Sequence, residues 1–413
     1  MAPNGMVTSP HALALLAGVD VLRAGGSAVD AAIATAAALA VLDPHMTGVG
    51  GDAFWLIHDA KTGQVHYLDG GGRAAVSGTI EAFKQKGLSE IPFRGILPAT
   101  LTTPGAVASW CEAHAAYGKL PLARSLQTAI GYARDGFPVI EMLNLLEPLE
   151  LHKKPYPDHV HLLVQAKQIA YNDRDRHLAD PAFAEVPTER LISKAYADER
   201  RPLMDPARAL PWDKVPSYGS LTGDTVFIAV VDAEGNAVSL IHSLYGVFGS
   251  AVVAGNTGVV LQNRSAYFSL DPAHPNRLEP GKTPLHTLIA SLGFRNDKLW
   301  SVVGCMGADG QPQIHLQTYV ALMDYGCDMQ EALEMPRWLS GRFALGESRD
   351  TLHIEARFPP ETLAELERRG HQLNRWGNWN ELAGHAHGIT IDPESGLRCG
   401  GSDPRSDGAA IGY

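Results

Sequence analysis

A few histidines, cysteines, glycines and hydroxyls carry the chemistry this chain could do. Two His-x-His pairs, His159/His161 and His385/His387, could each hold a metal if they lay on a strand, where residues i and i+2 share a face. On a helix such a pair diverges by about 200°, and His159/His161 open a run with helical spacing. No Asp/Glu-rich motif completes either site, so the plainer reading is surface or capping histidines, and no metal or other cofactor is implied. Cys111, Cys305, Cys327 and Cys399 are scattered, with no Cys-x-x-Cys, and offer neither a disulfide framework nor a zinc site. The glycine turn at Gly48, Gly50 and Gly51 lacks the Gly-Lys-Ser/Thr of a phosphate loop and precedes a strand pattern; it reads as a tight turn beneath a packed helix. A Gly-x-Ser-x-Gly nucleophile elbow does not occur. Thr225 remains, and a threonine opening the run TVFIAVVD is, by itself, ordinary strand chemistry.

The elements that must position these residues follow from the patterning. Residues 10 to 43 are Ala-rich with a helical stripe at Leu13, Ala14, Ala17, Val21 and Leu22; Gly25-Gly26 ends one helix and Ser27 can cap a second, to about Leu42. Ala53–His58 and Gln64–Leu68 are strand-like, 105 to 135 and 159 to 177 helical, and 180 to 224 a proline-punctuated surface segment. From Thr225 the pattern changes to strands at Thr225–Asp232, Ala237–Tyr245, Gly258–Asn263, His286–Phe294 and Leu299–Gly304. Helices return at Gln313–Tyr325, Met329–Met335 and Glu361–Arg369. Near-continuous apolar strands are covered on both faces, so the order predicts an α+β fold of stacked sheets with helix layers outside. A length of 413 residues suggests two or three domains at roughly 150 residues each.

Composition narrows the function. With 45% hydrophobic and 19% charged residues there is material for a core. A net charge of −11 without basic clusters argues against nucleic acid and anionic membrane. The apolar run Ala31–Leu42 is too short for the ~20 residues of a membrane helix. No signal-peptide pattern opens the chain, and with the scattered cysteines a reducing, cytoplasmic setting is expected.

The block Gly223–Ser239, reading GDTVFIAVVDAEGNAVS, resembles the start of the small subunit of γ-glutamyltransferases (glutathione hydrolases), which are N-terminal nucleophile (Ntn) hydrolases. Gly5–His11, Gly26–Ala32, Thr47–Asp52, Pro104–Val107, Phe248–Ser250, Glu279–Lys282 and Asp403–Ala409 are similar to that family's signatures, in the same order. The resemblance implies a four-layer αββα sandwich and self-cleavage between Asp224 and Thr225. That cut would divide the chain into a large segment, 1–224, and a small one, 225–413, which stay together as a heterodimer, alone or within a higher oligomer. It also implies that Thr225 acts as nucleophile with its own freed amine as base, that Ser243 supplies a second hydroxyl, and that Gly307-Ala308 supply oxyanion amides.

At the family's glutamyl-binding places stand Tyr245, Arg264, Tyr267 and His286-Thr287, with Arg73 near its carboxylate-binding arginine. The carboxylate that would pair with a glutamyl α-ammonium is missing, which resembles the branch containing oxamate amidohydrolase and cephalosporin acylases. Arg264 and His286 are expected to favour an anionic or neutral acyl group, Arg264 by bidentate grip on a carboxylate. The expected substrate is a small-molecule amide. Family residues between Asp135–Val139 and Met142–Glu147 have no counterpart here, so the large segment is shortened near 139/140. The alternatives are a glutathione hydrolase proper and an inactive, unprocessed member acting as a binding protein.

Overall fold

The computed structural model describes residues 1–95, 101–135, 208, 224–341, 348 and 350–413. The expected helix at 159–177, most of 180–224, His159/His161 and the junction at 139/140 lie outside the described residues.

The Ala-rich run forms two helices, α1 (Ala12–Arg23) and α2 (Ala28–Leu42), separated at Gly25, whose φ of 86° suits glycine. Ser27 caps α2: its Oγ accepts from the Asp30 amide at 3.1 Å, and Asp30 Oδ2 accepts from the Ser27 amide at 2.9 Å. The same Asp30 oxygen accepts the amides of Lys119 and Leu120 at 2.8 and 3.1 Å. This ties the start of α2 to the link between α4 (Ala106–Tyr117) and α5 (Leu122–Asp135); a short α3 (Ile80–Gln85) precedes them. Every residue of α2 from Ala28 to Leu39 is buried, as a mostly apolar helix requires; its polar members have partners, Asp30 in the cap and Thr35 by donating to the Ala31 carbonyl at 2.9 Å.

Six antiparallel strands form the first sheet: β1 (Met6–Ser9), β2 (Asp52–Asp59), β3 (Gln64–Gly70), β4 (Asp224–Val231), β5 (Ala237–Tyr245) and β15 (Ala409–Gly412), ordered β15-β1-β4-β5-β2-β3. A ribbon of β6 (Val252–Val253) and β7 (Val260–Leu261) follows β5. The second sheet, also antiparallel, is β14-β13-β9-β8, from β8 (Ala290–Arg295), β9 (Lys298–Cys305), β13 (Ala386–Ile391) and β14 (Arg398–Ser402). A smaller sheet of β10 (Trp338–Ser340), β11 (Thr351–Glu355) and β12 (Gln372–Trp376) accompanies helix α8 (Pro360–Arg368). Among the described residues no helix is long and apolar enough to cross a membrane.

Alternation along the strands explains the layers. Val226, Ile228, Val238 and Leu240 pack against α1 and α2, while Phe227, Ala229 and Ile241 pack against Val302 and Ile389 of the second sheet and Leu288 just ahead of it. The other face of that sheet, at Val303 and Cys305, meets Ile314 and Leu322 of α6 (Gln311–Met323) and Met329 and Leu333 of α7 (Met329–Glu334). The result is the expected αββα order. Segments 1–224 and 225–413 are not side-by-side domains, because β1, β2 and β3 interleave with β4, β5 and β15 in one sheet.

Two expected strands are shorter than the pattern suggested. Gly258–Asn263 contracts to β7, because Asn263 and Arg264 turn into a 3-10 segment, Arg264–Tyr267. The strand expected from His286 begins only at Ala290, and its polar lead-in, His286-Thr287, runs into the site described below. Strands β1 and β15, too short to show a pattern, pair with each other.

Replacing Ser27 by Ala should cost about 1 kcal/mol, the usual worth of an N-cap. Asp30→Ala should cost more, roughly 3 kcal/mol, since it strips the acceptor from three backbone amides. Denaturant melts of the two variants check the order; equal losses would show that the links to Lys119 and Leu120 add nothing.

Candidate active site

Register brings three polar residues into one row. Thr225 of β4 lies opposite Ser243 of β5, which lies opposite Asp52 of β2. Each shares its strand's face with an apolar residue packed between the sheets, Phe227, Ile241 and Phe54 respectively. The row therefore closes one end of the interlayer, and all three residues are buried. The glycine turn delivers Asp52 there: a Cβ on Gly51 would stand 2.2 Å from the Ser243 carbonyl oxygen, so only glycine lets the turn approach β5.

Thr225 Oγ1 lies 2.8 Å from Ser243 Oγ, and the Tyr245 amide donates to Ser243 Oγ, also at 2.8 Å. With that donor in place, Ser243 can pass its own proton to Thr225 or receive one. The ladder shifts register between Asp224 and Thr225. Tyr245, opposite Asp224, has a φ of 74°, an unusual conformation for a bulky side chain.

Arg264 is buried, donating from Nε to Asp52 Oδ2 at 2.7 Å and from Nη2 to Oδ1 at 3.0 Å. Burial works against its charge, but Asp52 holds the guanidinium above its ordinary pKa. The expected bidentate grip on a substrate carboxylate is thus corrected: Asp52 already takes the fork, and Nη1 is left buried without a partner. Three further buried polar atoms without a well-formed hydrogen bond stand on the other predicted residues: Tyr267 Oη, His286 Nδ1 and Thr287 Oγ1. Tyr245 and Tyr267 pack at 4.6 Å between centroids with their rings tilted by 34°, and the Arg264 guanidinium lies 4.8 Å from the Tyr245 ring. Burial, with the negative charge of Asp309 adding to it, raises Tyr267 well above its ordinary value, so it stays a donor. His286 packs on Phe54 at 4.3 Å, and burial, then the charge of Arg264, lowers it to about 4. A neutral imidazole acts on an acyl group by hydrogen bonding and not by charge. Arg73 stands apart from this buried group: its side chain is exposed and donates to the Gly281 carbonyl at 3.0 Å.

Gly307 and Ala308 follow β9 and lead into α6. Gly307 has φ 141° and Ala308 φ 46°, so alanine does take the left-handed angle the turn needs. Neither amide has an acceptor among the described residues. Asp309, one residue on, lies within electrostatic reach of Tyr267 and so sets this turn beside the Arg264 group. His387 is buried with Nδ1 3.1 Å from Ser402 Oγ, and no group of three or more potential metal ligands forms among the described residues.

Sequence reasoning gave no role to Asp52 or Phe93. Phe93 packs edge-on against Tyr245 at 5.4 Å and its carbonyl accepts from Asn263 Nδ2 at 2.8 Å. The one signal was an aspartate closing a glycine run, with its partner 212 residues away.

Two antiparallel sheets face to face between helix layers, with a hydroxyl nucleophile candidate opening an interior strand, define an Ntn hydrolase. The chain belongs to the gamma-glutamyltranspeptidase family, whose model matches residues 14–144 and 139–413. It is 34% identical to the glutathione hydrolase-like YwrD proenzyme of Bacillus subtilis (strain 168), over 98% of each chain. It is also 34% identical to the oxamate amidohydrolase proenzyme of Klebsiella pneumoniae, over 100% of this chain and 99% of the relative. A crystal structure of cephalosporin acylase from Bacillus halodurans superposes with a TM-score of 0.88 at 31% identity, covering 100% of this chain and 96% of that one. The alignment with the YwrD proenzyme runs over 525 positions, well beyond the 413 residues here, so that relative carries residues this chain lacks. The enzyme class is thus amide hydrolysis or acyl transfer.

Burial lowers His242, His286 and His387 to about 4, 4 and 3. For each of these the unfolded chain takes up a proton near pH 6.5 that the folded chain refuses until its lower value. Their contribution is therefore constant above pH 6.5, and stability falls as the pH drops from there towards 4, by up to about 1.4 kcal/mol per pH unit for each histidine. Thermal melts across this range should show the decline, and His387→Asn should make it shallower. An unchanged slope in that variant would mean that His387 takes no part.

Proposed function

We propose that this chain is a self-processing amidohydrolase that works through an acyl-enzyme on Thr225. The observation that carries the reading is the buried 2.8 Å contact between Thr225 and Ser243, placed at a register shift at the very bond to be cut. In the intact chain, Thr225 Oγ1 attacks the Asp224 carbonyl while Ser243 relays the hydroxyl proton. The C–N bond gives way to an ester, and water then hydrolyses it. The freed α-amine, with an ordinary pKa of about 7.7–8.0, becomes the base for Thr225's own hydroxyl. The amides of Gly307 and Ala308 receive the oxyanion, and loss of one such donor typically costs ~10²–10³ in rate. The ester is released to water, or to an amine in transfer.

The acyl group is small and carries acceptor atoms, because the groups around it that lack a well-formed hydrogen bond (Arg264 Nη1, Tyr267 Oη, neutral His286 and Thr287 Oγ1) are donors or can act as such. A carboxylate-bearing acyl group, as in oxamate, fits one free guanidinium nitrogen better than a glutamyl α-ammonium would. The two fragments stay associated as a heterodimer, because their strands alternate in one sheet.

Intact mass and N-terminal sequencing of the purified protein test the cut. Pieces of about 24 and 20 kDa are expected from 44.3 kDa, the smaller beginning Thr-Val-Phe, and Thr225→Ala should leave one chain. A persistent single band in the unaltered protein would favour an inactive binding protein. In the processed enzyme, Arg264→Lys should keep a charge for Asp52 but lose the free nitrogen, lowering kcat/KM for glutaryl-p-nitroanilide about tenfold. Equal loss on an acyl group without a carboxylate would remove Arg264 from acyl recognition.

A further inference from the structure

The sheet flanks Thr225 unequally. On the β5 and β2 side lie Ser243, Asp52 and the donors around Arg264. On the other side, β1 runs antiparallel to β4, with Met6 opposite Val231 and Thr8 opposite Ala229. Continuing past Ser9 therefore leads towards the Thr225 end of the sheet, where His11 bridges to Asp407, just before β15. A cavity of about 520 Å³ lies at this end, reaching from His11 and Asp407 to Met46 and to Val247 beyond β5, with Gly307 and Ala308 in its wall. The turn that would hold the oxyanion thus borders this cavity as well as the acyl-binding group.

The cavity's charge is one-sided. Asp43, Glu381 and Asp407 line it. Glu381 and Asp407 are exposed, and neither side chain has a hydrogen bond or ion pair among the described residues; Asp43 faces His45 at 3.3 Å. The arginine in the wall, Arg405, is already committed to Asp403 at 2.9 Å and to both oxygens of Glu355 at 2.7 Å. Burial lowers the pKa of His11 and of His385, so neither offsets the carboxylates at neutral pH; burial also raises that of Asp43, so the exposed Glu381 and Asp407 are the firmest negative charges. His385 Nε2 is buried there without a partner.

We propose that this cavity receives the amine half of the amide, as leaving amine in hydrolysis and as acceptor in transfer, and selects amines that carry a second, protonated nitrogen. This rests on Thr225 being the acylated residue. In transfer, the neutral amine of the acceptor attacks the Thr225 ester. The new C–N bond forms, the C–Oγ1 bond breaks, and the proton lost by the amine passes through the Thr225 α-amine to Oγ1. The acceptor's other nitrogen, an ammonium, stays among the carboxylates.

Calorimetric titration of the purified protein with 1,5-diaminopentane, pentylamine and 5-aminopentanoate at neutral pH tests the cavity directly. The diamine should bind about tenfold more tightly than pentylamine, and the aminopentanoate more weakly than either. Glu381→Gln and Asp407→Asn should each reduce the diamine preference roughly threefold; both positions are exposed, and thermal melts confirm that the variants fold. Equal binding of diamine and pentylamine, or a preference that survives both substitutions together, overturns the proposal. A second measurement separates this from the Thr225 reading: the ratio of diamine adduct to free acid formed from glutaryl-p-nitroanilide. Chromophore release with no preference for the diamine overturns the subsite alone. Absence of both self-cleavage and chromophore release overturns the Thr225 reading and, with it, the cavity's part in acyl transfer.

Discussion

A hydroxyl is useful as a nucleophile only where its neighbours are fixed to a few tenths of an ångström, and here the β4–β5 ladder fixes them. The pairing of Thr225 with Ser243 is set by every hydrogen bond between those strands down to Val231 and Ala237, and a slip of one residue would turn Thr225 towards α2. The apolar faces on either side make such a slip costly. Helix layers outside and a second sheet inside therefore act as the clamp on a single oxygen–oxygen distance.

The same economy governs charge. A bare guanidinium between two sheets would be strongly disfavoured, and Arg264 is tolerated there because Asp52 sits one strand over from Ser243. Around this compensated pair stand a phenol held protonated and an imidazole held unprotonated by burial, with the charge of Asp309 within electrostatic reach of the phenol. The site presents directed hydrogen-bond donors with little net charge, whereas the cavity at this end of the sheet presents carboxylates. The two surroundings of one nucleophile thus differ in kind.

Much of this was legible in the sequence because it depends on local pattern. Ser27 and Asp30 announce a helix start, Gly25-Gly26 a break, and the β-branched run from Thr225 with its Ala-Glu-Gly-Asn turn a hairpin of buried strands. Long-range pairing was not legible. Nothing near Asp52 marks it as the partner of Arg264, and so a fork engaged within the protein read as a fork open to substrate. His286-Thr287 read as strand because Thr is a strand former and apolar residues follow; in the fold those two side chains serve the site instead. The positions of Tyr245 and Tyr267 in the site came from resemblance alone, since an aromatic residue has no spacing that separates a pocket wall from a core.

The place of β4 in the first sheet has one more consequence. Chain ends ordinarily fray, and a terminal amine samples many positions. A terminus created at Thr225 would instead begin on an interior strand, with β5 on one side and β1 further along on the other. Its nitrogen would be as confined as a core side chain, so a backbone atom would be held with the precision usually given to a catalytic histidine. Breaking one covalent bond would thereby add a functional group without moving any strand.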